Sequence, residues 1–385
     1  MGNRYVQHSV SIVTALFLWA VIACDRYEAE PIGKVESYVR SRSIEIDTVD
    51  VVRDAFRDRA GRIWVLAATS PFLTVFDSTG AMLGSGGRRG RGPSDFLFPF
   101  LFAGQEASGE APTVVDLGRH QLVGVDSSLS AAQSYDLRLI SGVMRSDMPK
   151  IVAHLPFAIS GSAGNYVAVV ITRNVSNETD LAFQSVIHLH DGVADTVWRH
   201  AGTTAAELRW LRPFPMWSSC DNEGLIGVSA SGRTAYRISA RGKVDSSRVP
   251  IRVARRPIGE RELRLHARYR VEQEYFESGL QPTENQLSSD VDVAVKRIRL
   301  SNADSLPLYS SIKCGLGKEY WLQKFDLNDD PRGASRQWYR VGGNSAMPVQ
   351  FPHRFRPISF SQDAVLGVET DSNDVSKVVY LSRRR

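Results

Sequence analysis

Gly61-Arg62-Ile63-Trp64-Val65-Leu66-Ala67 is a turn residue followed by an almost continuous apolar run, and Leu73-Thr74-Val75-Phe76 is a second such run that ends at Asp77-Ser78-Thr79-Gly80. Short runs of aliphatic and aromatic residues between Gly- and Asp-containing turns are typical of β-strands. Upstream, Ile44-Glu45-Ile46-Asp47-Thr48-Val49 alternates apolar and polar residues, as expected of a strand with one buried face. Closely spaced strands of this kind predict an all-β sandwich, barrel or propeller.

Self-similarity along the chain favours the propeller among these three folds. One unit joins a polar turn, a glycine and an apolar-aromatic strand, and it occurs at 58–64, 221–226 and, more loosely, 315–321. A second unit joins a strand to a polar residue and small residues, and it occurs at 75–80, 123–128 and 236–242. Units that recur tens of residues apart, with hairpins inside each, are typical of propeller blades, in which four strands form a meander.

The glycine-rich segment after the first of these units carries a family resemblance. Residues 87–96, Gly-Arg-Arg-Gly-Arg-Gly-Pro-Ser-Asp-Phe, resemble the Gly-x-x-Gly-x-Gly-Pro-Gly-Glu-Phe segment of bacterial six-bladed, NHL-like propellers. Ser94 and Asp95 replace the usual Gly-Glu pair. A phosphate-binding loop is disfavoured, because the Gly-Lys-Ser/Thr ending is missing and Pro93 would begin no such helix. Gly86–Gly92 is therefore interpreted as a turn between blades.

The C-terminal part is similar to the last blade of exported propellers of the TolB-like class, through residues 352–355, 363–368 and 378–381. The resemblance covers the two ends of the chain and is diffuse between 140 and 250. It implies an all-β, six-bladed β-propeller over residues 44–385, and it implies little chemistry. We further predict that 43–49 and 376–381 share a sheet, because many propellers close their ring with strands from both chain ends and leave no open edge.

The N-terminus carries an export signal. Val10–Ile22 is apolar almost throughout, follows a polar start with Arg4 and precedes a polar stretch, which is typical of a cleaved secretory signal and too short for a spanning helix. The stretch 21–24, Val-Ile-Ala-Cys, resembles a bacterial lipobox, in which the cysteine thiol takes a diacylglyceryl group. We predict a signal peptide at 1–23, a lipid anchor at Cys24 and a polar tether at 24–43. The alternative is an ordinary secretory signal, or an uncleaved anchor, with an incidental cysteine.

Composition and charge exclude one class of partner. The chain has 385 residues and a formal net charge of only +5, and this small excess is spread along the chain, so nucleic acid is not an expected partner. The sequence predicts a protein of the bacterial cell envelope, on the periplasmic or surface side of a membrane. Its expected partners are membrane lipid through Cys24 and a protein or glycan on one propeller face.

One segment departs from the β pattern. Residues 257–277 are rich in Glu, Arg and Leu and contain no glycine after Gly259, and opposed charges such as Glu260 and Arg264 stand four positions apart, which supports a helix. The predicted apolar face contains Ile258, Leu265, Tyr269 and Phe276. We predict a helical insertion near 255–300 that either covers a propeller edge or serves as a partner helix.

Several residues could carry chemistry and are interpreted as structural. Cys220 and Cys314 each precede a Gly-containing turn. As equivalents in separate repeats, they are expected to be too far apart to form a disulfide and to remain unpaired, buried thiols.

His188 and His190 share one face of a predicted strand, but the spacing of the sequence indicates no third metal ligand. His154, His200 and His353 would serve as ligands only if the fold gathered them. Most tryptophans are expected to pack between blades.

Asp326, Asn328 and Asp330 alternate as at the start of a calcium loop, yet Pro331 and Gln337 stand where an EF-hand needs Gly and Glu. The interpretation is a hairpin turn within a blade, with weak calcium binding as the alternative. No metal site or cofactor is therefore predicted.

No catalytic motif is visible in the chain, and no catalytic residue is assigned. We predict a non-enzymatic, lipid-anchored binding module for a protein, peptide or glycan, a function that rests on analogy with other propellers. The alternative is an envelope hydrolase or lactonase-type enzyme with a divalent metal in the central channel. Three or four Asp, Glu, Asn or His side chains converging on the axis would favour the enzyme, and an axis of apolar and Ser/Thr groups would favour the binder.

Overall fold

Strands dominate the part of the chain that the computed structural model describes. The described residues are 35–44, 52–58, 60–105, 112–137, 151–153, 158–162, 165–174, 181–204, 215–220, 223–251, 257–278, 281–300, 306–327, 334–352, 354–360, 364–370 and 376–383. Two helices in these ranges are α1 (Glu260–Ser278) and α2 (Glu284–Leu300). Neither helix is long and apolar enough to cross a membrane.

The strands, numbered in chain order, are β1 (Glu36–Ile44), β2 (Val52–Arg57), β3 (Ile63–Ala67), β4 (Leu73–Phe76), β5 (Met82–Gly86), β6 (Pro99–Gln105), β7 (Pro112–Asp116), β8 (Gln121–Val125), β9 (Ala131–Asp136), β10 (Ile151–Ala153), β11 (Ala158–Ser162), β12 (Asn165–Asn174), β13 (Leu181–His190), β14 (Val193–Thr204), β15 (Met216–Ser219), β16 (Gly224–Val228), β17 (Thr234–Ser239), β18 (Val244–Arg248), β19 (Tyr309–Cys314), β20 (Tyr320–Phe325), β21 (Ala334–Gly342), β22 (Ser345–Gln350), β23 (Phe355–Phe360), β24 (Ala364–Thr370) and β25 (Ser376–Arg383).

These strands form four blade-like sheets and one larger sheet. The four are β2–β5, β6–β9, β15–β18, and a five-stranded sheet in which β10 and β11 both pair with β12, followed by β13 and β14. The larger sheet has eight strands in the order β19-β20-β21-β22-β1-β25-β24-β23. It consists of two antiparallel halves that meet where β1 runs parallel to β22. The fold is an all-β, propeller-like arrangement, as predicted.

One edge strand from each unit takes part in a central ring. Strands β2, β6, β11, β15, β19 and β23 are all edge strands of their sheets. Each contacts the next in this order, and β23 contacts β2, so the six strands form a closed ring. We call them the inner strands.

The apolar cores lie between neighbouring sheets, and β3 shows why its sequence is continuously apolar. Trp64 and Leu66 pack with residues of the β6–β9 sheet, whereas Ile63 and Val65 pack on the other side with residues of β24 and β25. All five residues of β3 are buried. The predicted strand buried on both faces is therefore confirmed for Trp64 and Val65.

The two repeated sequence units occupy equivalent places in different sheets. Gly61 and Gly224 lie in the turns between the first two strands of their sheets, with φ angles of 83° and 124°, which favour glycine. Asp77 and Asp126 lie in the turns between the last two strands, and each accepts the same pattern of bonds from the residues two and four positions later. The local units were therefore assigned correctly as parts of a repeated blade.

The ring closes through the chain ends. Ser43 pairs with Val379 and Ile44 with Val378 in an antiparallel register, which confirms that the first strand shares a sheet with the last. The strand begins earlier than expected, at Glu36. The tether predicted at 24–43 is thus corrected to end before residue 36. The sequence did not reveal this part of β1, because its residues are mostly polar and do not alternate between apolar and polar as a strand with one buried face would. Residues 45–49 are outside the described part.

Cys220 and Cys314 form a disulfide, with Cα atoms 5.3 Å apart. The prediction of two unpaired thiols was wrong. Cys220 directly follows β15 and Cys314 ends β19, so the two cysteines hold equivalent places on neighbouring inner strands. Such places converge near the axis of a ring, and the helices inserted between β18 and β19 account for much of the 94-residue separation.

The helical insertion is confirmed, but its buried face differs from the predicted one. Leu263, Ala267 and Val271 are buried against α2 and against Leu327 at the end of β20, whereas Leu265 is exposed. The helices contact the propeller through Phe325 and Leu327. Of the predicted face, Ile258 packs against this cluster, whereas Leu265 lies outside it, because the prediction followed the largest side chains and passed over Ala267.

Candidate functional site

An axial cavity of about 560 Å³ lies inside the ring of inner strands. Every inner strand contributes to its wall. The polar and charged residues among its lining are Arg53, Asp54, Arg57, Ser218, Ser219, Glu223, Lys313, Arg356 and Ser359. Such a volume falls in the range of small-molecule sites.

Asp54 connects two inner strands at this wall. Its carboxylate accepts hydrogen bonds from the backbone N–H groups of Ala55 at 3.0 Å and of Phe102 on β6 at 2.9 Å. Because inner strands are sheet edges, side chains supply the hydrogen bonds that no ladder provides there. Burial raises the pKa of the Asp54 carboxyl, against the opposing effects of the Lys313 charge and the two amides.

Lys313, near the end of β19, is a second half-buried ionisable group of the wall. Burial lowers the pKa of its ammonium; the carboxylate of Asp54 acts in the opposite direction, and the nearby positive charge of Arg356 lowers the pKa further. A lysine that is desolvated and faces another cation favours an anion beside it. An anionic group of a ligand placed beside Lys313 would therefore be stabilised by its charge.

Two arginines hold neighbouring inner strands together and still face the cavity. Arg356 on β23 donates to the backbone carbonyls of Arg53 at 3.2 Å and Val52 at 3.0 Å. Arg53 on β2 donates to the carbonyl of Pro99 at 2.7 Å. A guanidinium has five N–H donors, so each arginine keeps donors for a ligand after these bonds.

The charge of the cavity wall is positive. It carries the four cations Arg53, Arg57, Lys313 and Arg356 against the two carboxylates Asp54 and Glu223, an excess of two. Its other prominent groups are the serines of β15 and the aromatic rings of β6 and β15. The wall matches neither of the two arrangements that were expected to discriminate an enzyme from a binder, because its dominant polar groups are basic.

The predicted histidine pair does lie on one face of β13. The rings of His188 and His190 stack with centroids 4.6 Å apart, and His190 Nε2 lies 2.9 Å from the carboxylate of Asp195. This hydrogen bond raises the pKa of His190, whereas burial and the neighbouring His190 lower the pKa of His188. Within the described ranges, no group of three His, Cys, Asp or Glu residues could hold a metal ion.

The remaining candidates lie elsewhere. His200 stacks on Trp198 on β14, while His154, His353, Asn328, Asp330 and Trp210 fall outside the described residues, as does Cys24. Asp326 directly follows β20, and the segment it begins joins two antiparallel neighbours, β20 and β21. The hairpin interpretation of this segment is thereby supported, and calcium binding there stays a hypothesis.

The glycine-rich segment is a connection between sheets, as interpreted. It leads from β5 to β6, and Asp95 folds it back by accepting from the backbone N–H of Gly92 at 2.9 Å and pairing with Arg88. These bonds lower the pKa of the Asp95 carboxyl. A Cβ at Gly90 would collide with the Asp95 carboxylate, so the aspartate explains why glycine is required there.

Sequence reasoning missed the cavity residues. Arg53 and Asp54 lie within a strand, and Lys313 directly precedes a cysteine, so none belongs to a recognisable motif. The sequence signal that could have found them is charge. Arg53 and Asp54 are adjacent charged residues within β2, whereas the next two strands, β3 and β4, are apolar. Their convergence depends on two different sheets, those of β2 and β19, and is not encoded in any spacing.

Comparisons with known proteins place the fold in a class. No family model matches the chain, and no curated protein matches its sequence. A member of the DUF4221 family from Bacteroides vulgatus has a similar structure, with a TM-score of 0.50, 9% identity, and coverage of 91% of this chain and 98% of that one.

Two further solved structures are more distant. An exported protein from Bacteroides fragilis gives a TM-score of 0.49 at 9% identity and covers 91% of this chain and 95% of that chain. Virginiamycin B lyase from Staphylococcus aureus gives 0.43 at 10% identity, over 89% of this chain and 98% of the lyase. At these identities the likeness concerns the fold alone, and that fold is a β-propeller.

Proposed function

We propose that this protein is a six-bladed, lipid-anchored propeller of the bacterial envelope that binds an anionic ligand in its axial cavity. Six blades are supported by the closed ring of six inner strands. The eight-stranded sheet then counts as two blades, because its halves meet over only the pairs Glu36–Val349 and Ser37–Gln350. The propeller domain spans 36–385 in this proposal, after a signal at 1–23 and a short tether from Cys24.

The observation that carries the binding function is the excess of cations in the cavity. Positive side chains that share one cavity repel each other unless an opposite charge accompanies them, and the carboxylate of Asp54 already accepts two backbone hydrogen bonds. Carboxylate and phosphate groups pair well with guanidinium groups because two parallel hydrogen bonds can form. An acidic peptide or an acidic glycan would supply these groups.

The same charges weigh against the alternative of a metal-dependent hydrolase. A divalent cation would meet two carboxylates, Asp54 and Glu223, among four positive side chains. The four positive side chains would repel a bound divalent cation, and this repulsion is stronger where the local dielectric constant is low. The binding module is therefore the better-supported function.

The test is calorimetric titration of the mature domain with hexaglutamate and with a galacturonate oligomer, each against its neutral counterpart, hexaglutamine or maltohexaose. We expect binding of at least one acid and at least tenfold weaker binding after Lys313→Met or Arg356→Met. Lys296→Met, on the exposed side of α2, is the matched control. Equal affinity for the acid and its neutral counterpart would disprove the anion site, and stoichiometric zinc or calcium in the purified protein would favour the hydrolase.

Lipid anchoring is tested separately. Cells expressing the full chain are labelled with palmitate, and the label is expected on the wild-type protein and not on Cys24→Ala. Cys220→Ala serves as the control, because the domain cysteines are not expected to carry lipid. Label that persists on Cys24→Ala would contradict the anchor.

A further inference from the structure

Three large apolar side chains lie exposed on the wall of the axial cavity. Phe98 is 41% exposed, Phe100 is 38% exposed and Leu316 is 50% exposed, and all three line the cavity. We call them the apolar rim. Exposed apolar groups that gather at one opening mark a binding site more often than scattered ones do.

The apolar rim is joined directly to the basic wall. The guanidinium of Arg53 lies 4.2 Å from the centre of the Phe98 ring, and the carbonyl of the next residue, Pro99, holds the same guanidinium. On the other side, Leu316 follows Lys313 by three residues, in the turn that β19 enters. If the anionic group of a ligand binds Lys313, the atoms attached to that group would lie near Leu316. If it binds Arg53, they would lie near Phe98.

We infer that the ligand of the axial cavity is an amphiphilic acid, with one anionic head on Lys313 and Arg356 and an alkyl or aryl body against the apolar rim. This inference rests on the proposed anion site and adds the chemistry of the rest of the ligand. A purely polar polyanion would leave the three rim side chains in water. An apolar body would remove them from water, which is favourable in proportion to the area covered.

The experiment is a chain-length series of unbranched carboxylates, from propionate to decanoate, titrated calorimetrically below their micelle-forming concentrations. Trp217 lines the cavity, so its fluorescence supplies a second readout. We expect affinity to rise roughly two- to fourfold for each methylene that reaches the rim. Glutarate, a short polar dianion, and decanol, a neutral chain, are the two comparison ligands.

Two sets of variants separate head from body. Phe100→Ser and Leu316→Ser, both on exposed side chains, should flatten the dependence of affinity on chain length. Lys313→Met should weaken every acid about equally and leave the slope intact. Leu83→Ser, at an exposed apolar side chain on β5 that does not line the cavity, is the control and should change nothing.

The outcomes distinguish the two proposals. If glutarate binds as tightly as decanoate, or if only hexaglutamate binds, the amphiphile is wrong and the anion site stands. If decanol binds as tightly as decanoate, the anion site itself is wrong. If rim variants leave the slope unchanged, the apolar body does not lie on Phe100 and Leu316, and the inference is overturned.

Discussion

Ser43 of the first strand lies opposite Val379 of the last strand, so the two ends of the chain close one sheet. The same first strand also contacts β22 through Glu36 and Ser37. β1 thus covers an edge of β25 that would otherwise be open to pairing with another chain. The seam of the ring depends on β1, whose sequence is mostly polar. Ion pairs of its charged side chains therefore contribute to the stability of the seam in addition to apolar packing.

Glu36 is the charged residue on which the seam depends most. Its side chain is 5% exposed, pairs with Arg383 and lies 3.9 Å from Arg340. Glu36→Gln should lower the free energy of unfolding by about 1–3 kcal/mol, because Arg383 loses a buried carboxylate partner while Arg340 keeps its pairing with Glu319. Chemical denaturation measures this change.

The matched control for the seam is Glu284→Gln, since Glu284 pairs with Arg268 on the exposed surface of the helices. Its expected cost is below about 1 kcal/mol. Equal costs for the two variants would show that the Glu36 ion pairs do not stabilise the closure.

Trp64 tests the packing between sheets. The ring is 3% exposed, and its Nε1–H donates to the carboxylate of Asp58 at 3.0 Å. Trp64→Ala should lower the free energy of unfolding by about 3–5 kcal/mol, as measured by urea denaturation. Val244→Ala on the exposed β18 should cost less than about 1 kcal/mol; a similarly small change at Trp64 would contradict the two-sided burial of β3.

The disulfide between Cys220 and Cys314 should be present in the folded protein under oxidising conditions and should stabilise it. Replacing both cysteines by serine should cost about 2–4 kcal/mol, since the bond closes a long loop of the unfolded chain. Peptide mapping without reductant should find the two cysteines linked. Two free thiols in the folded protein after oxidation would contradict the bond, and an unchanged thermal midpoint in the double variant would contradict its stabilising role.

The histidine pair predicts opposite shifts on neighbouring residues. NMR titration should find the pKa of His190 above about 6.5 and that of His188 below it. Asp195→Asn should lower the pKa of His190, because it removes the hydrogen bond that raises it. Asp290→Asn, in the helical insertion, should leave it unchanged.

The sign of the linked stability follows from this direction. A folded-state pKa raised above the unfolded value means that the His190–Asp195 contact stabilises the protein at acid pH. That contribution is lost as the pH rises through the folded pKa of His190. Stability that instead rises with pH across this interval, relative to Asp195→Asn, would be inconsistent with the contact.

The local sequence by itself determined the strands, their turns and the class of fold. The signals of these elements are local. Trp64 belongs to a continuous apolar run, Gly61 adopts a positive φ angle in a turn, and Asp77 accepts hydrogen bonds from amides two and four positions later. Such effects repeat in each blade, so self-similarity was sufficient to predict a propeller. The helical insertion was also visible, because charge pairs four apart need no distant partner.

Only the tertiary structure decided which residues meet at the axis. Asp54, Lys313 and Arg356 come from three different inner strands, β2, β19 and β23, and their side chains converge because the ring closes through β1 and β25. The same closure brought Cys220 within bonding distance of Cys314, where counting residues along the chain had suggested separation. The physical reason is that positions equivalent by sequence are distant on the outer strands of a ring and adjacent on its inner strands, and no local pattern records on which radius a residue lies.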